Sequence, residues 1–300
     1  MIAGILAGIC SAVLQSCSYI ASAAYLKRHS SATGLLMHAQ GVQFFFALPL
    51  LLAIMPGEAM TARLLAANAL WLVIFTIAQF SMFAAQKTVE PSKIATWLGL
   101  KIVVLAVLTT IWPLDGEAVD AWRWTAILIT ISAAWVLNAS GGMKPGWKGA
   151  FFLASQIVVA SLCDRQQVAI IGIFRDMGAG LFKASLLTLC LGYASFGLFA
   201  LAYAAREGWR RALPKMRDAS PFAVLWFTAM ISIYFCYGRL GPVFGNVVQS
   251  SRAIIAVAIG YLFIRLTKCR VEENVSGRLW LRRLGAAILM TAGIVMYSLG

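Results

Sequence analysis

Long apolar runs of about twenty residues, parted by short polar clusters, dominate the pattern along the chain. A membrane-spanning helix needs about 20 mainly apolar residues at ~1.5 Å of rise each. On that measure helices are predicted at 2–26, 34–55, 65–86, 92–112, 123–138, 149–174, 180–204, 221–238, 243–264 and 284–299. The breaks carry turn or interface signals: Lys27-Arg28-His29, Pro56-Gly57, Pro91, Asp115-Gly116, Gly141-Gly142, Pro145-Gly146, Pro214 and Gly241-Pro242. No break is long enough for a separate soluble domain, so residues 1–300 read as a single membrane domain. The run from Ile2 to Leu26 exceeds the apolar part of a signal peptide and has no charged leader, so it reads as a retained first helix.

Composition sharpens this picture. Hydrophobic residues make up 61% of the chain, charged residues only 12%, and mean hydropathy is +0.83. A soluble domain carries roughly twice that share of charge, so lipid is the expected solvent. The net charge of +14 then belongs to loops facing anionic lipid rather than to nucleic-acid binding. Most cations fall in the loops after helices one, three, five, seven and nine, which places those loops in the cytoplasm and both termini outside. Of the six cysteines, all but Cys269 lie in apolar runs and none has metal-ligand spacing, so disulfides, zinc and other cofactors are not expected. Trp112, Trp122, Trp124 and Trp147 fall at predicted helix ends, as an interfacial belt requires. His29 and His38 stand without ligand spacing and read as structural.

The two halves resemble each other. Pro91 and Pro242 each open a helix, and each is followed ten residues later by a cation, Lys101 and Arg252. Residues 123–128 and 283–289 match approximately. Five helices per half is an odd number, so the second copy must be inserted upside down, which places a substrate site near the midplane. Residues 1–140 form the first predicted repeat and 145–300 the second. Together with the turn Asp115-Gly116-Glu117 and the stretch 284–295, these features resemble the drug/metabolite transporter superfamily, in particular its EamA-type ten-helix members. The chain departs from that pattern at Glu272-Glu273 and at Ala134-Trp135. The resemblance implies a fold of about ten transmembrane helices in two inverted five-helix repeats. It also implies a cavity lined by helices one, three, four, six, eight and nine, and termini in the cytoplasm, opposite to the charge count.

Lys101 lies roughly 15 Å into its helix, at mid-bilayer depth, with Arg252 its repeat partner. A cation there costs at least about 2.5–3.5 kcal/mol unless it meets a cavity or a counter-charge; a helix–helix salt bridge is the structural alternative. Helix six supplies Asp164 and Arg165, with Gln156, Ala160, Cys163 and Gln167 on a small or polar stripe. Asp164 is the candidate counter-ion or proton-coupling carboxylate. Gln15, Tyr19, Gln79, Trp97, Tyr234, Tyr237 and Gln249 complete the candidate pocket. Lys101, Arg252 and Arg165 against Asp164 leave two positive charges, which an anionic substrate would neutralise.

The expected function is alternating-access transport of a small organic anion or zwitterion, without cofactor or catalytic residue. The expected place is the cell membrane, most readily a bacterial inner membrane, with lipids as neighbours and a homodimer as one compatible assembly. Export of amines through Asp164 is the second reading, and lipid processing or flipping the third. No Gly-x-x-x-x-Gly-Lys-Ser/Thr, His-Glu-x-x-His or Gly-x-Ser-x-Gly motif occurs, which argues against ATP hydrolysis and familiar enzyme chemistry.

Overall fold

A computed structural model describes residues 1–55, 60–89, 94, 97–111, 120–138, 146–252 and 255, with single positions at 285, 288, 289, 292, 293 and 296. Side-chain caps open three of the helices. Ser31 accepts from the Gly34 amide and Thr61 from the Leu64 amide, so α2 (Ala32–Ile54) and α3 (Ala62–Gln86) begin there. Asp120 accepts from the Arg123 amide at 2.8 Å and opens α5 (Ala121–Asn138). The first helix, α1, runs Ile2–His29 and closes on Ser30 in the left-handed region. A 3₁₀ turn, Leu98–Leu100, leads into α4 (Lys101–Ile111). The second half contributes α6 (Trp147–Asp176), α7 (Leu181–Glu207), α8 (Trp209–Leu240) and α9 (Pro242–Gln249). Gly208 (φ 90°) and Gly241 (φ 78°) supply the positive-φ turns on either side of α8, a region where side-chained residues are strained. The predicted helix 284–299, most of the span 253–264, Cys269, Trp112, and the turns at Pro56-Gly57, Pro91, Asp115-Gly116 and Gly141-Gly142 lie outside the described residues.

One expectation is overturned. Pro214 was expected to mark a loop with the next helix starting at 221, yet α8 is continuous through both Pro214 and Pro221. Proline removes the N–H that would bond the carbonyl four residues back. For Pro221 that carbonyl belongs to Arg217, and the Ser220 hydroxyl donates to it at 2.8 Å, which removes much of the penalty. Helix six also extends beyond its predicted end to Asp176, so Asp164 sits near its middle.

Three pairings organise the bundle: α1 packs on α8, α2 on α7 and α3 on α6. The shorter α4 lies against α6, and α9 lies against α1, α8 and α4. Trp71 stacks on Phe75 at 4.4 Å, and the Trp226 indole donates to the Tyr193 hydroxyl at 2.8 Å in the core between these pairs. No strand occurs among the described residues. Six helices there, α1, α2, α3, α6, α7 and α8, are long and apolar enough to cross a membrane. The outer surface is apolar, with Leu52, Val73, Leu198 and Phe199 exposed, while Gln15, Lys101, Asp164 and Arg252 are buried. Water would favour the opposite distribution; the protein is an α-helical, multi-pass membrane protein.

Candidate functional site

The buried polar residues converge because each helix around the centre places them on one face. On α6, Gln156, Ala160, Cys163, Asp164 and Gln167 recur at helical spacing, and on α8 Trp226, Met230, Ile233 and Tyr237 do the same. Gln15 and Tyr19 from α1, Gln79 from α3, Lys101 from α4, Gln249 from α9 and the adjoining Arg252 complete the wall of one cavity. The space they leave is about 50 Å³, room for roughly three or four waters at ~10–15 Å³ each. A larger guest requires side chains to move.

Two cationic corners face this cavity. At the first, the Lys101 ammonium lies 2.6 Å from Asp164 Oδ2. The same oxygen accepts from the Tyr237 hydroxyl at 2.9 Å and from Asn246 Nδ2 at 2.8 Å. Asn246 also donates to the Pro242 carbonyl at 2.9 Å, which anchors it on its own helix. α9 comes this close to α8 because residue 245 is glycine: a Cβ there would lie 2.5 Å from the Tyr237 ring. Both members of the ion pair are buried, and the charge at this corner cancels.

At the second corner Arg252 is 3% exposed. Its Nη1 donates to Gln15 Oε1 at 2.8 Å and to Gln249 Oε1 at 3.3 Å. The amide nitrogens of both glutamines donate to Ser11 Oγ, at 3.1 and 3.0 Å, which turns both carbonyls towards the guanidinium. Tyr19 lines the same cavity wall as Arg252. The guanidinium Nε is buried and has no hydrogen-bond partner among the described residues. Every described partner of Arg252 is neutral, so this corner holds one positive charge without a described carboxylate.

Lys101, Arg252, Asp164, Gln15, Tyr19, Gln79, Gln249 and Tyr237 are therefore brought together as the sequence suggested. Three candidates are not. Arg165 is turned by about 100° from Asp164 and donates to the Leu108 carbonyl at 3.1 Å, outside the cavity wall. Tyr234 lies about 60° around α8 from Tyr237 and is fully buried in packing, its hydroxyl without a described partner. Trp97 lines a separate apolar groove with Leu100, Val104 and Leu153. Without Arg165, the surplus at the cavity among the described residues is one positive charge rather than two. Sequence reasoning missed Trp226, Met230 and Phe75; the spacing i, i+4, i+7, i+11 that ends on Tyr237 would have found the first two.

The histidines expected to stand alone do not. His38 accepts or donates at both ring nitrogens, with the Tyr25 hydroxyl at 2.8 Å and Glu207 Oε2 at 2.8 Å, and Glu207 also pairs with Lys215. His29 and Arg28 share Asp218 at 2.8 and 2.7 Å. Their carboxylate partners lie well over a hundred residues away in the chain, beyond the reach of local pattern.

No protein-family model matches this chain, and no curated protein matches it. A solved structure described as "Crystal structure of protein" is similar to it over 99% of this chain and 96% of that one, with a TM-score of 0.61 and 14% sequence identity. At that identity the likeness concerns the fold, which the two share over nearly their whole length.

Proposed function

We propose that the chain is a secondary transporter of the drug/metabolite type that carries a small organic anion or zwitterion by alternating access. It consists of two inverted five-helix repeats, 1–140 and 145–300, in one membrane domain. The observation that carries this reading is Arg252, a buried cation facing a cavity and surrounded by neutral described partners. A buried charge without a counter-charge is costly, and an anion in the cavity offsets that cost through charge-assisted, bidentate hydrogen bonds.

The repeat reading is supported by the packing. Exchanging each helix with the one five places along leaves the principal contacts in place: α1 on α8 becomes α6 on α3, and α4 on α6 becomes α9 on α1. α2 on α7 and α4 on α9 map onto themselves. Such exchange is expected of two repeats related by a pseudo-twofold axis, and five helices per repeat is the odd number that would invert the second.

The test is thermal stabilisation of detergent-purified protein across small anions, zwitterions and amines. A ligand that binds the folded state adds ~2.7 kcal/mol at one hundred times its Kd. Anions are expected to stabilise the wild type, and Arg252→Gln is expected to lose about 2–5 kcal/mol of that binding. Stabilisation by amines alone, or by anions equally in Arg252→Gln, removes the assignment and favours amine export.

A further inference from the structure

The two cationic corners are built on the same plan. At one, the Ser161 hydroxyl of α6 lies 3.5 Å from the Lys101 carbonyl while also donating to its own helix at Ile157. At the other, the Ser16 hydroxyl of α1 lies 3.3 Å from the Arg252 carbonyl while also donating to Ala12, four residues back. Each serine thus marks where a helix of the first or sixth position crosses the cation-bearing segment. Three residues beyond each serine, on the same helix, stands a side chain that lines the cavity with the cation: Asp164 after Ser161, where it pairs with Lys101, and Tyr19 after Ser16. Tyr19 therefore occupies in one half the place that Asp164 occupies in the other.

We infer that Asp164 sets the charge of the substrate: by neutralising Lys101 it leaves the cavity complementary to a single negative charge, held at Arg252. This inference rests on the anion-transport reading. Lys101 and Asp164 cancel, and the tyrosine at the equivalent place leaves Arg252 as the one surplus charge among the described lining residues. Asp164 is not free to swing across to Arg252, because Lys101, Tyr237 and Asn246 all hold its Oδ2. A dianion would meet one surplus cation, with the Asp164 carboxylate opposing its second charge. Removing that carboxylate releases Lys101 as a second cation and suits the cavity to a dianion.

Methanesulfonate and sulfate test this directly, since they are alike in size and shape, differ by one charge and do not titrate near neutral pH. Thermal stabilisation is read in the full-length protein as the difference from Arg252→Gln, because sulfate also stabilises proteins by exclusion from their surface. The wild type is expected to prefer methanesulfonate. Asp164→Asn is expected to shift preference towards sulfate by roughly tenfold, the scale of one unit charge acting across a cavity at an effective dielectric of ~20. Tyr19→Glu, which places a carboxylate beside Arg252, is expected to lose both anions. A wild type that favours sulfate overturns the inference without any variant, and so does an unchanged preference in folded Asp164→Asn. If neither anion stabilises the wild type, nor any other in the wider panel, the anion reading itself falls.

Discussion

Among the described residues, the ion pairs at the two ends of the bundle differ in number and burial. At the end where α1 and α7 finish and α2 and α8 begin, Arg28 and His29 hold Asp218, while His38 and Lys215 hold Glu207. These contacts tie α1 to α8, α2 to α7 and α7 to α8. At the opposite end, where α6 finishes and α3 begins, the described residues include the pair Arg63 with Asp176 at 3.9 Å, both largely exposed. Under the exchange of helices five places apart, the α1–α8 and α6–α3 crossings correspond, so the same joint is latched at one end and loose at the other. Partly buried, multiply bonded ion pairs contribute far more than a single exposed pair. The difference teaches that the described ion pairs that bridge helices are concentrated at the α1–α2 end. On the proposed transport reading, these contacts are the ones that opening towards the α1–α2 end would break.

The largest expected effect comes from breaking the latch at its shared carboxylate. In a variant whose sole cysteine is Cys163, which lines the cavity, Glu207→Gln is expected to raise labelling by an impermeant thiol reagent applied from the α1–α2 side by roughly tenfold. That factor corresponds to ~1.4 kcal/mol of lost closing interaction. No increase would show that His38 and Lys215 do not hold that end closed. Asp218→Asn removes two charge-assisted contacts but sits nearer the surface, so labelling should rise only about two- to fivefold, with about 0.5–1 kcal/mol lost. Arg63→Gln, at the loose end, should leave labelling from either side and the melting temperature unchanged within error. A fall in melting temperature as large as that of Glu207→Gln would erase the contrast between the ends.

Most helices were legible because a twenty-residue apolar run has few alternatives in lipid. What remained hidden depended on neighbours that no local window contains. Proline at 221 reads as the start of a helix until the Ser220 hydroxyl is seen to take over the Arg217 carbonyl inside a continuous one. Tyr234 and Tyr237 look equivalent in sequence, yet only Tyr237 continues the stripe that faces the cavity. Arg165 adjoins Asp164 in the chain and faces elsewhere, because a single residue step turns a helix by about 100°. Lys101 and Arg252 were found through their matched distance from a proline, but the matching serines, Ser16 and Ser161, emerge only from the carbonyls they meet. His29 and His38 gave no sign of their carboxylate partners on α7 and α8.

One oxygen atom has a mechanical consequence. Asp164 Oδ2 takes donors from α4, α8 and α9 while riding on α6. Four segments therefore share a single rivet, and none of them can slide past the others by small steps while the rivet holds. Displacing any one of them strains its bond to this oxygen, so their motions are coupled here. A helix that leaves this point must give up a charge-assisted bond, which makes the oxygen a shared anchor for all four segments.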